Sequence, residues 1–115
     1  MEKIIIYQVF TRLFGNNNTS CVHNGDVQTN GGGKMSDFTM TALENIKKLG
    51  ATHIWYTGLI EHATQTDHTS FGIKKDNPAV VKGKAGSPYA IKDYYDIDPD
   101  LAVSVPNRMK EFENL

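Results

Sequence analysis

Four aspartates, Asp93, Asp96, Asp98 and Asp100, fall within eight residues of one another. Carboxylates this close could act as an acid and nucleophile pair or hold a hard cation. The spacing fits neither use. The two carboxyls of a retaining glycosidase face each other about 5 to 5.5 Å apart across the scissile bond, which neighbours on one surface segment do not do. An EF-hand begun at Asp96 needs Gly at its sixth position and Glu at its twelfth, where Leu101 and Asn107 stand. The four read as turn-capping, solvated aspartates, with Asp93 placed to hold the neighbouring tyrosine-rich loop. Gly31-Gly32-Gly33-Lys34 looks like a phosphate loop, but Gln28 and Met35 occupy the positions that need Gly and Ser or Thr. His23, His53, His62 and His68 lack HExxH spacing and form no zinc-finger arrangement with Cys21. His53 reads as a strand-entry residue, and His62 and His68 as surface residues.

The bulk numbers exclude several classes of function. A net charge of -1 without a basic stripe removes the electrostatic footprint of a nucleic-acid or anionic-membrane partner. The chain is 39% hydrophobic and 22% charged, a globular balance, and no apolar run approaches the roughly 20 residues of a membrane span. It reads as soluble. Cys21 is the only cysteine, which rules out an internal disulfide framework. The start shows no signal-peptide pattern, and the compartment is not legible.

The elements that must position these residues alternate in type. Residues 4 to 10 form a nearly continuous β-branched and aromatic run, the pattern of a strand covered on both faces. Residues 15 to 37 collect Gly, Asn, Thr, Ser and Asp and read as a long loop. From Thr41 the period becomes helical, with Leu43, Ile46 and Leu49 on one face, Thr41 and Glu44 spaced as a capping box, and Gly50 as the stop. Thr52 to Ile60 is a second apolar run, so strand, helix and strand form a right-handed βαβ unit with a parallel pair. Trp55 and Tyr56 are expected in its core. Residues 61 to 88 are polar and too long for a plain connector, and Pro106 begins a second helix with Met109, Phe112 and Leu115 on one face.

Three segments in this order, IYQVFTRLF (5 to 13), IKKLGATHIWYTGLIE (46 to 61) and SPYAIKDYYDIDPDLA (87 to 102), resemble the start of the α-amylase family of glycoside hydrolases. The resemblance implies an α/β fold: the N-terminal portion of a (β/α)8 TIM barrel, with strand 1, helix 1, strand 2, a long loop after strand 2 and the start of helix 2. Residues 1–115 would then be one incomplete part of a catalytic barrel domain, since a whole barrel takes roughly 250 residues. The family's loop tyrosine, which stacks on the sugar ring at the cleavage subsite, matches Tyr89. Ser87-Pro88 stands here in place of the usual small residue and glycine, and Ala90 follows. The chemistry suits the role, because an aromatic face can bury the C–H patch of a sugar while the phenol keeps a polar partner. Tyr94 and Tyr95 read as packing residues of the same loop. Where many family members carry an acidic calcium loop, this chain has Lys34, so calcium is not expected there.

The implied activity is hydrolysis or transfer of α-glucosidic bonds in starch-like or malto-oligosaccharide substrates, with retention. The family's catalytic acids come from strands beyond Leu115, so no catalytic residue, cofactor or metal is assigned, and the chain by itself is expected to be inactive. Its partner is an oligosaccharide or α-glucan, and its unpaired strands invite self-association. The alternative is a small non-catalytic α/β module that binds carbohydrate or another partner. A barrel that has lost its acids and only binds glycan or transports a partner is a third reading.

Overall fold

The computed structural model describes residues 2–115. The β-branched and aromatic run near the start forms strand β1, Ile6–Phe10. Within the polar stretch that follows, Asp26 caps a single turn, α1 (Val27–Asn30), by accepting from the Thr29 amide. The stretch is therefore not a bare loop. Asparagine side chains tie it together: Asn16 and Asn18 donate to the carbonyls of Asn30 and Thr29, and the Asn30 carboxamide bridges both backbone groups of Val22. It ends in a 3-10 turn, Met35–Asp37, that sinks Met35 into the core.

Thr39, not Thr41, caps the main helix α2, Met40–Lys48, with its hydroxyl accepting from the Ala42 amide at 3.2 Å. Ile46 is buried beneath α2 while Leu49 lies exposed past its end. The chain then enters β2, His53–Thr57, which pairs parallel with β1 in the register Ile6 to His53 through Phe10 to Thr57. At Gly58, with φ +82, the backbone takes a left-handed turn, and the apolar run that read as one strand breaks in two. Its second half becomes β3, Ile60–His62, which leaves the first sheet. Residues 91–97, which read as part of a loop, form the seven-residue strand β4, Ile91–Ile97, and pair antiparallel with β3 through two register irregularities. A 3-10 turn at Pro99–Leu101 and the short helix α3, Arg108–Glu113, complete the chain.

This overturns the expected architecture. The chain is a small mixed α/β body with two separate two-stranded sheets, order β1-β2 and β3-β4, and not the opening portion of a (β/α)8 barrel. The physical cause is the turn at Gly58, which sends the chain into an antiparallel pairing with residues that carry their own β-branched pattern. The core forms between these units. Met35, Leu59, Ile97, Leu101 and Ala102 pack together, with Tyr56 and Leu115 against them. Phe38 bridges to the first sheet by stacking on Phe14 (centroids 4.3 Å) and meeting Tyr56 edge-on (4.9 Å). The parallel pair is not covered on both faces: Ile6 is 58% and Trp55 54% exposed, so Trp55 is no core residue.

Candidate functional site

Tyr89 sits in a tight turn in which the Ala90 amide returns to the Ser87 carbonyl and Pro88 fixes the preceding bend. The Ser87 hydroxyl accepts from the Tyr89 amide at 3.3 Å. The turn holds the ring outward, 73% exposed, at the mouth of a groove of about 490 Å³. Phe10, Arg12, Asn24 and Asn30 line the groove's other walls. An exposed aromatic face opposite amide and guanidinium groups can bury an apolar patch while hydrogen-bonding its polar rim. Among the described residues, no carboxylate lines this groove.

Arg12 fixes the groove's back wall. Its Nη1 donates to the carbonyls of Ala85 (3.3 Å) and Gly86 (2.9 Å), and its Cζ lies 4.9 Å above the Phe10 ring. Burial lowers the Arg12 pKa, and the charges of Asp98 and Asp100 act against that shift. The segment it holds passes closely by the residue that follows β3: a Cβ on Gly86 would lie 1.8 Å from the Ala63 carbonyl oxygen, so only glycine fits there.

Behind Arg12 lies a buried polar network that the sequence reading did not place. His62 and His68 are buried, and so is Asp98, at 2% exposure. This corrects their reading as surface histidines and a solvated aspartate. The His62 Nε2 meets the Ala85 carbonyl at 3.3 Å, while its buried Nδ1 has no hydrogen bond and faces Asp98 Oδ2 at 3.6 Å. The carbonyl requires a proton on Nε2, so the opposing Nδ1 and Oδ2 are compatible only when one proton lies between them. Desolvation, followed by the charge of Asp100, raises the Asp98 pKa to about 7. Desolvation likewise lowers that of His62. Asp100 is held on all sides: His68 Nε2 lies 2.9 Å from Oδ1, the Thr66 hydroxyl donates to Oδ2 at 2.9 Å, and Lys34 Nζ donates to its carbonyl. Lys34, the residue that set the glycine loop apart from a calcium site, thus ties that loop to the turn at Pro99–Leu101.

The remaining aspartates do other work. Asp93 accepts from the Tyr95 amide at 2.8 Å within β4, so it shapes its own strand and not the Tyr89 turn. Tyr94 and Tyr95 are exposed rather than packed. Glu61, Asp93 and Asp96 bring one oxygen each within 4.8 Å of one another. Cations already answer this charge: Lys92 lies 3.6 Å from Glu61, and Arg108 grips Asp96 with two bonds of 2.7 Å that lower its pKa. His53 is exposed at the entry to β2.

No family model, curated protein or solved structure matches this chain.

Proposed function

We propose that this chain is a segment of a retaining glycoside hydrolase acting on α-glucosidic bonds of starch-like or malto-oligosaccharide substrates, to which it contributes a sugar-stacking tyrosine and no catalytic acid. The observation that carries the reading is Tyr89, whose ring is turned outward over a groove with Phe10, Arg12, Asn24 and Asn30. Two further features support it. The segments IYQVFTRLF and SPYAIKDYYDIDPDLA, which carry the resemblance to the α-amylase family, meet in that groove through Phe10 and Arg12 of the first and Ser87, Pro88 and Tyr89 of the second. The groove also combines the Tyr89 and Phe10 rings with the amides of Asn24 and Asn30 and the cations Arg12, Lys82 and Lys84, all of them donors from which the hydroxyls of a sugar ring can accept.

The test is Tyr89→Ala. A sugar that covers about a third of the roughly 150 Å² a tyrosine can bury gains about 1.3 kcal/mol at about 25 cal/mol per Å². That is close to tenfold in affinity. Titration of the chain with maltose should show this loss, and kcat/KM on malto-oligosaccharides should fall correspondingly in the hydrolase that carries the segment. Equal affinity and equal kcat/KM in the variant would refute the role.

A second reading, a non-catalytic carbohydrate-binding module, is favoured by the chain's own small core around Leu101 and by the lack of a carboxylate in the groove. Maltose binding by a polypeptide that carries the chain but hydrolyses no glucan would select the module, and hydrolysis that Tyr89→Ala lowers would select the segment of a larger enzyme.

A further inference from the structure

The groove under Tyr89 carries more positive charge than a neutral ring calls for. Arg12, Lys82 and Lys84 all line it, and among the described residues no carboxylate does. The chain as a whole has a net charge of -1, so three cations around one hollow are a local excess. Elsewhere cations are answered: Lys92, Arg108 and Lys110 each face a carboxylate. Arg12, Lys82 and Lys84 form no ion pair among the described residues.

The wall that presents the two lysines is held from behind. The Lys82 carbonyl accepts from the Gly86 amide at 3.1 Å, and those of Gly83 and Lys84 accept from the Gln65 side chain and amide, both at 2.8 Å. Arg12 Nη1 takes the carbonyls of Ala85 and Gly86. Every carbonyl from 82 to 86 is thus committed to a donor of the chain itself, and none is left to repel an anion. Both lysines remain exposed on this fixed turn. The aspartates whose charges reach these cations lie outside the groove. Asp26 acts on Lys84 but caps Thr29, and Asp98 and Asp100 act on Arg12 while His62, His68 and Thr66 hold them.

The charge narrows the ligand. A divalent cation would be repelled, and the hydroxyls of a plain sugar leave three full charges unanswered. A single carboxylate answers one of them. A phosphate monoester carries about -1.5 to -2 at neutral pH on three acceptor oxygens, which matches an arginine fork flanked by two mobile ammonium groups.

We infer that the groove recognises a phosphate monoester borne by the sugar unit that stacks on Tyr89, with Arg12 gripping the phosphoryl oxygens and Lys82 and Lys84 neutralising their charge. The inference rests on the sugar-stacking reading of Tyr89 and adds to it a substrate class, glucosyl units that carry phosphate. Free phosphate presents the same anion without the ring, so the two sources separate at Tyr89.

Isothermal titration of the chain with glucose, glucose 6-phosphate, glucose 1-phosphate and inorganic phosphate tests this, with circular dichroism confirming that each variant stays folded. At least one sugar phosphate should bind about tenfold or more tightly than glucose. That ratio should shrink between about 0.1 M and about 1 M sodium chloride, where the screening length falls from about 10 Å to about 3 Å. It should fall towards one in the double variant Lys82→Gln, Lys84→Gln, and Tyr89→Ala should weaken the sugar phosphate but not inorganic phosphate. Equal affinities for glucose and both sugar phosphates overturn the phosphate site, and glucose binding that Tyr89→Ala still weakens leaves the Tyr89 reading intact. A ratio unmoved by the double variant likewise overturns the assignment to these cations. Sugar phosphates that bind no better than inorganic phosphate and ignore Tyr89→Ala overturn the stacking role and with it the sugar-borne ligand.

Discussion

Replacing Asp98 with Asn removes the most strongly perturbed acid of the chain. Asp98 is 2% exposed, and burial together with the charge of Asp100 moves its pKa from 3.8 to about 7. Because the folded pKa lies above the unfolded one, the folded chain binds more protons than the unfolded chain between these values. Stability tied to this group is thus complete below about pH 3.8 and is lost as pH rises through about 7. At 1.36 kcal/mol per unit, a shift of about three units corresponds to about 4 kcal/mol across that window. The opposing group is His62, whose lowered pKa contributes stability that is present above 6.5 and lost as pH falls through its folded value. The two titrate as a pair, so the informative quantity is the difference between variant and parent at each pH. Urea unfolding of both proteins from pH 4 to pH 8 provides it. Asp98→Asn should gain on the parent by up to about 4 kcal/mol over this range, with most of the gain complete by pH 7.5. A difference that stays flat across the window would refute the argument that a buried proton holds His62 and Asp98 together.

Two further expectations follow from packing. Gly86→Ala should lower stability by at least about 2 kcal/mol in thermal unfolding, because the new Cβ would meet the Ala63 carbonyl at 1.8 Å and the backbone sits at φ +78. The uncovered face of β1 and β2 forms an apolar hollow of about 770 Å³ with Ile4, Ile6, Trp55, Tyr95 and Phe112 around it. Together with unpaired strand edges it should drive self-association, so sedimentation velocity should show mass rising with concentration, and Trp55→Lys should reduce the effect.

The sequence made some of this legible and hid the rest for identifiable reasons. β1 and β2 lie within the runs that periodicity marked and α2 starts one residue before its own, because each carries a pattern that its backbone geometry enforces. The split at Gly58 was hidden, since Thr52 to Ile60 reads as uninterrupted apolar character and one glycine carries the whole change of sheet. Strand β4 was masked by its acidic residues, for Asp93 and Asp96 look like loop residues until the Tyr95 amide engages the first and Arg108 the second. The buried histidines were misread for a similar reason. A polar segment such as 61–68 carries no sign of its burial, which comes from the distant Arg12, Ala85 and Asp98. Tyr89 was singled out by the resemblance of its segment to a family loop alone, and the turn through Ser87 and Pro88 that holds it outward was not part of that reading.

Met35 gives the polar segment between the first strand and the main helix an unusual standing. Its side chain lies among Leu59, Ile97, Leu101 and Ala102, while Phe14 secures the other end against Phe38. The residues between are clamped at both ends by the same interior that supports the distant β3 and β4. Replacements at Asn17, Thr19, Ser20 and Gln28, which are exposed and whose side chains make no internal bond, can therefore vary the outer face of this segment without disturbing what lies beneath. A cut or insertion at 33 to 36 would instead pull a plug from the centre, so diversity introduced here by recombination should be tolerated on one side of Gly33 and rejected on the other.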